Sequence, residues 1–100
     1  MPRTAMKKSS GNVFRDLGFG PEEATSLRIR SELMIEITET IRRRRLTQVD
    51  AAKLLGVTQP RISDLVRGKL DLFSIDTLVD MITRTGGIVQ VMVKRPRRAA

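Results

Sequence analysis

The sequence has 100 residues, of which 40% are apolar, so we expect one domain with a modest core. It contains neither cysteine nor histidine, so we predict no enzyme, no cofactor and no metal site. No apolar run is long enough to span a membrane, so we predict no membrane partner. Nineteen lysines and arginines against eleven acidic residues give a net charge of +8, which favours a polyanionic partner such as nucleic acid.

The N-terminal half is predicted to be a basic arm followed by one long helix. Residues 1–11 are polar and basic, which is typical of a flexible arm. Pro21 suits the first turn of a helix, and the apolar residues that follow recur at helical spacing. We therefore predict one helix from Pro21 to Arg45. The last four positions of that helix, 42–45, are all arginine. Since successive positions turn around the helix, we expect only one or two of the four to meet a phosphate.

Three short helices are predicted next, because three good N-cap residues each stand between apolar residues. The caps are Thr47, Thr58 and Ser74. An apolar residue directly before each cap and another four residues after it have the spacing of a hydrophobic staple. With Thr58 as the cap, Pro60 is the second helical residue, where its missing N–H costs little. The last helix is predicted to end at Gly86 and Gly87.

The β-branched run IVQVMV, residues 88–93, predicts one strand ahead of a basic tail, residues 94–100. A lone strand leaves its backbone groups unpaired, so it needs a partner. We expect the same strand from a second copy, related by a twofold axis. The residues predicted for this dimer interface are Ile88, Val89, Val91 and Val93. The alternative is pairing with a short N-terminal strand near Val13.

The stretch QVDAAKLLGVTQPRISDLVR, residues 48–67, has the pattern of two helices that cross at a tight turn. Ala52 is small where the helices would cross, and Gly56 suits a left-handed turn residue. Three apolar residues stand where the second helix must pack on the first: Val57, Ile62 and Leu65. This combination resembles the helix-turn-helix of the phage-repressor-like XRE family.

The resemblance implies that the second helix enters the major groove of DNA, N-terminal residues first. Arg61 would then contact guanine and Gln59 adenine, while Asp64 would either accept from cytosine or hold Arg61 or Arg67 in position. Gln48 and Thr58 resemble the family's contacts to the DNA backbone at two helix N-termini, and the expected roles of Ser63, Arg67 and Lys69 are further backbone contacts or exposure to solvent.

Over residues 12–93 the chain is similar to compact XRE-type antitoxins of the HigA kind, from NVFRDLGF through the long helix to the apolar strand. The resemblance implies a mainly α, about five-helix phage-repressor-like helix-turn-helix domain with one C-terminal β-strand. It also implies a prokaryotic, cytoplasmic and nucleoid-associated homodimer. Such a dimer binds a palindromic operator in double-stranded DNA, represses its own operon and neutralises a RelE/HigB-like mRNA-cleaving toxin. The basic arm and tail are longer than this family needs.

Two alternatives to the antitoxin remain open at this point. One is a free-standing XRE-type transcriptional regulator without a toxin partner. The other is a small helical protein-interaction module whose charge only keeps it soluble. Salt-dependent DNA binding separates the module from both regulators, and a toxin gene beside this one favours the antitoxin.

Overall fold

The computed structural model describes residues 11–96, so the predicted arm up to residue 10 and the tail from residue 97 lie outside the described residues. The described part contains five α-helices and a 3₁₀ turn: α1 (Val13–Asp16), α2 (Pro21–Arg43), α3 (Gln48–Leu55), α4 (Gln59–Val66), the 3₁₀ turn (Leu70–Leu72) and α5 (Ile75–Arg84). The predicted mainly helical fold with a helix-turn-helix is confirmed.

No strand occurs within residues 11–96, and the run 88–93 has no regular secondary structure. A strand that pairs only with a second copy has no hydrogen-bonding partner in a single chain, so this strand stays a prediction. The alternative partner near Val13 does not form. Val13 instead begins α1, and its carbonyl accepts a helical hydrogen bond from the Leu17 N–H at 3.0 Å.

The three predicted caps begin α3, α4 and α5. The hydroxyl oxygens of Thr47, Thr58 and Ser74 accept hydrogen bonds from the backbone N–H three residues further on, at 3.0, 3.4 and 3.1 Å. The apolar residues four positions after the caps are all buried: Ala51, Ile62 and Leu78. Pro60 is the second residue of α4, as predicted. Local side-chain chemistry therefore sets where each of these helices begins.

Each α-helix of the described part is followed by a residue with a positive φ. Four of these residues are glycines: Gly18, Gly56, Gly68 and Gly86. The fifth is Arg45, with φ 55°, after α2. Helix α2 itself ends at Arg43, two residues before the predicted boundary, because Arg44 caps it and Arg45 reverses the chain. The chain thus leaves every helix through the same kind of tight left-handed turn.

Helices α2 and α5 form the support on which α3 and α4 lie. Buried side chains from all four helices, together with Phe73, make one core: Met34, Ile37, Ala51, Leu55, Ile62, Leu65, Phe73, Leu78, Met81 and Ile82. Four staple residues of the short helices therefore also belong to the core: Ala51, Ile62, Phe73 and Leu78. Helix α1 lies outside this core and packs on the start of α2, where the Asn12 side-chain amide donates to the Ala24 carbonyl at 3.1 Å.

The 3₁₀ turn that follows α4 is tied to two helices by arginines. Arg30 of α2 donates from Nη1 to the Leu70 carbonyl at 3.0 Å. Arg61 of α4 donates from Nη1 to the Leu72 carbonyl at 2.9 Å. Both carbonyls belong to a short turn whose own backbone bonding is limited, so these two contacts hold its position relative to α2 and α4.

The C-terminal segment, residues 88–96, leaves the helical body after a single apolar contact. Val89 is partly buried and packs on the core. The neighbouring apolar residues are among the most exposed of the described chain: Ile88 at 86%, Val91 at 85%, Met92 at 79% and Val93 at 72%. Of the four predicted interface residues, one is therefore used within the chain and three are left uncovered.

Candidate nucleic-acid interface

Helices α3 and α4 cross over a turn that depends on Gly56. This residue has φ 71° and ψ 31°, which confirms the left-handed turn residue expected from the sequence. A Cβ atom placed on it would lie 2.8 Å from Cζ of Arg84, whose guanidinium rests against the turn. Ala52 is partly buried at the crossing, and its carbonyl accepts the Val57 N–H at 3.1 Å. The angle between the two helices is fixed by this packing.

The start and the outer side of α4 carry polar groups that the fold does not use. Gln59 and Arg67 are exposed, and neither side chain forms a hydrogen bond or ion pair with residues 11–96. Ser63 is half-buried and its hydroxyl is likewise unused within that range. The Thr58 hydroxyl accepts the Arg61 N–H as a cap, which leaves its own proton to donate. This side of α4 can therefore offer several donors to a ligand.

Arg61 lies differently from the other two predicted base-reading residues. Its guanidinium carbon stands 4.1 Å from the centroid of the Phe73 ring, and Nη1 donates to the Leu72 carbonyl at 2.9 Å. Phe73 is a core residue, 2% exposed, so the arginine covers the edge of the core. A cation–π contact of this kind contributes about 0.5–2 kcal/mol. Arg61 can reach a base only by exchanging these partners.

Asp64 has a partner that the sequence did not indicate. Its carboxylate lies 3.7 Å from Nζ of Lys69. The sequence had predicted Arg61 or Arg67 as the partner of this carboxylate. The backbone brings Asp64 and Lys69 together, since the Lys69 N–H donates to the Asp64 carbonyl in the turn that ends α4. Two predicted contact residues are thus joined in one ion pair, which reduces the repulsion that a lone carboxylate would exert on a phosphate.

Gln48 is the first residue of α3, directly after the cap Thr47, and its side chain is exposed. Gln48 and Thr58 therefore stand at the two helix N-termini where the resemblance had placed phosphate contacts. Lys53, further along α3, is exposed and its ammonium group has no partner among residues 11–96. Lys53 on α3 and Arg67 at the end of α4 are thus two cations available to a phosphate on this part of the surface.

The four arginines at the end of α2 have different partners. Arg42 and Arg43 pair with glutamates of the same helix at 3.1 and 4.0 Å. Arg44 donates from Nη2 to the Thr85 carbonyl at 2.8 Å, where it caps the C-terminal end of α5. The exposed Arg45 side chain forms no hydrogen bond or ion pair with the described residues. The sequence predicted that one or two of the four arginines would be free without indicating which, and the partners of the other three identify Arg45.

Two further findings concern metal sites and membrane helices between residues 11 and 96. No cluster of three or more potential metal-ligating side chains occurs there. None of the helices in this range combines the length and the apolar character needed to cross a membrane.

Comparison with known proteins places this geometry in a family. The profile of a family described as a helix-turn-helix domain matches residues 13–94, which span all five helices and most of the C-terminal segment. A search of curated proteins finds none that matches the chain.

Proposed function

The chain belongs to the family of helix-turn-helix domains, and from this we propose that it is a sequence-specific transcriptional repressor that reads double-stranded DNA with α4. The observation that carries the proposal is the exposed N-terminal side of α4, where Gln59 has no partner within residues 11–96. The excess of basic residues supports it, since phosphate contacts supply most of the nonspecific affinity for DNA.

In the proposed complex the first turn of α4 faces the base edges. The Gln59 amide would bind adenine through two hydrogen bonds. Arg61 would bind guanine after it leaves Phe73, and Asp64 would accept from cytosine or act through its pair with Lys69. The remaining proposed contacts go to phosphates: Gln48, Thr58, Ser63, Arg67 and Lys69.

We propose that two chains bind together, joined through their C-terminal segments. The support is the exposure of Ile88, Val91 and Val93, since apolar side chains in a row are typical of a surface that a partner covers. Antiparallel pairing about a twofold axis would satisfy the backbone groups of both segments. It would also place two copies of α4 to read half-sites about 34 Å apart in a palindrome.

The finer proposal is that this repressor is an antitoxin that neutralises a RelE/HigB-like toxin. Its basis is the resemblance of residues 12–93 to HigA-type antitoxins. Exposed apolar residues on α1, directly after it and on α2 would serve for toxin binding: Val13, Leu17, Ile29 and Ile35. A free-standing regulator would share the DNA-binding surface and need none of these residues for its function.

A binding-site selection on random duplexes tests the DNA-reading role. The Gln59→Ala variant should lose about 1–3 kcal/mol on the selected site and accept other bases at one position. As the matched control, Gln48→Ala should weaken binding to all sequences by a similar factor, because it removes a phosphate contact only. Binding that does not respond to salt, or no binding at all, would favour a protein-interaction module instead.

Co-expression tests the antitoxin role. The product of the adjacent gene should co-purify with this chain, and its toxicity should disappear when both are made. Leu17→Lys combined with Ile35→Lys should restore growth arrest while leaving DNA binding unchanged. A chain that binds its operator but retains no neighbouring gene product would be a free-standing regulator.

A further inference from the structure

Arg45 occupies a position at which the chain otherwise uses glycine. Its N–H donates to the Arg42 carbonyl and the following Leu46 N–H donates to the Ile41 carbonyl, both at 3.1 Å. This pair of bonds defines a Schellman turn, whose left-handed residue is usually glycine because a Cβ atom is unfavourable there. The four other α-helices of the described part are each followed by a glycine with positive φ. Only α2 has a residue with a side chain, at φ 55°.

No contact within residues 11–96 requires an arginine at this position. Ile41 and Leu46, the positions whose apolar contact often accompanies such a turn, both pack against the core. The three preceding arginines have partners that account for them, whereas the guanidinium of Arg45 has none among residues 11–96. The side chain therefore adds backbone strain and like-charge repulsion without a compensating contact within residues 11–96.

The position of Arg45 suggests what compensates for this strain. Arg45 comes two residues before the cap Thr47 and three before Gln48, the first residue of α3. In a helix-turn-helix complex the first helix of the motif crosses the DNA backbone, so a cation at its start lies next to phosphates. The two bonds of the Schellman turn also fix the backbone from which the side chain extends, so less backbone freedom is lost on binding.

We propose that Arg45 binds a phosphate of the DNA backbone beside the start of α3, and that this contact is the reason for an arginine in the left-handed conformation. The inference rests on the proposed DNA-binding function. It assigns Arg45 to affinity for DNA of any sequence, whereas Gln59 is assigned to sequence preference. Strained backbone of this kind is often found at functional positions.

The test is a substitution with opposite effects on the fold and on binding. Arg45→Gly should raise Tm by up to about 4 °C, because the strain and the repulsion are relieved. The same variant should bind a mixed-sequence DNA duplex of about 20 base pairs, two helical turns, on the order of five-fold more weakly. The slope of log K against log salt should fall by about 1 for each bound subunit. Arg45→Lys should keep the slope and show no rise in Tm.

Arg42→Ala is the matched control, since it removes the same charge from the same run but from an arginine paired with Glu39. It should reduce affinity and slope less than Arg45→Gly. The inference is overturned if Arg45→Gly binds like wild type, if both variants lose the same affinity and slope, or if Arg45→Gly lowers Tm. Should the wild-type chain show no salt-dependent binding to the duplex, the proposed function is overturned as well; with normal wild-type binding, only the role of Arg45 is at stake.

Discussion

The helix-turn-helix, residues 47–67, and the C-terminal segment, residues 88–96, are both rich in apolar residues but differ in what surrounds those residues. In the first, Ile62 and Leu65 are buried, and caps, staple and turn glycine all specify the same structure. In the second, Val91 is 85% exposed and the backbone has no ladder. A segment whose interacting residues lie within about twenty positions of one another can specify its own structure. A β-branched run has only a preference for extended backbone, and it forms a strand when a second strand pairs with it.

The largest expected difference between the two regions is in core truncation. Ile62→Ala should lower the free energy of unfolding by about 2–5 kcal/mol, because Ile62 is fully buried and leaves a cavity between α3 and α4. Val91→Ala truncates a similar side chain that is exposed to solvent, so it should change the free energy of unfolding by less than about 0.5 kcal/mol. Urea unfolding at a protein concentration too low for dimers measures both. Equal losses would show that the segment belongs to the folded body.

The turn glycine should come next in effect. Gly56→Val should cost about 1–3 kcal/mol, since valine resists positive φ and its Cβ must displace Arg84. Thermal unfolding of Gly56→Val with and without Arg84→Ala separates the two causes: relief by the second substitution reports the displacement, and the remainder reports the backbone. An unchanged Tm in Gly56→Val would contradict the geometry of this turn.

The cap of α4 should contribute less. Thr58→Ala should lower the free energy of unfolding by about 1 kcal/mol, because the Arg61 N–H loses the hydroxyl oxygen as an acceptor and keeps only the Thr58 carbonyl, at 3.1 Å. Thr47→Ala is the matched change at α3, where the bond is 3.0 Å rather than 3.4 Å, and should cost at least as much. Chemical denaturation of the two variants side by side checks the order. A larger loss of unfolding free energy in Thr58→Ala than in Thr47→Ala would mean that Thr58 has a stabilising role beyond capping α4.

The smallest effect on the fold should come from a charge in the C-terminal segment. Val91→Lys should leave the unfolding free energy of the monomer within about 0.5 kcal/mol, because the side chain is already exposed. The same change should disrupt pairing between segments and convert the dimer to a monomer in sedimentation. Gln90→Lys adds the same charge at an exposed neighbour as a control. A Val91→Lys protein that remains dimeric would show that the interface lies elsewhere, with α5 as the next surface to test.

Most of the fold and the location of the candidate site could be predicted because their signals are short-range. Thr58, Pro60 and Gly56 each specify their own neighbourhood through a hydrogen bond, a missing N–H or a backbone preference. The contact of Arg61 with Phe73 could not be predicted, since it joins residues twelve positions apart through a choice of side-chain rotamer. The pairing of Asp64 with Lys69 depends on the exact turn that ends α4. Arg45 differs from Arg44 only through the tertiary contact of Arg44 with Thr85, which the sequence does not show either.

Helix boundaries that are set within a few residues also bear on the speed of folding. The hydrogen bonds that begin and end α3, α4 and α5 close loops of three to five residues, and such loops form without a long search. Helical domains dominated by local contacts fold in microseconds to milliseconds. The helical body should therefore fold within milliseconds of the start of refolding. The C-terminal segment becomes ordered only when two chains associate, and the rate of that association depends on protein concentration. Dilution would lengthen only the second step.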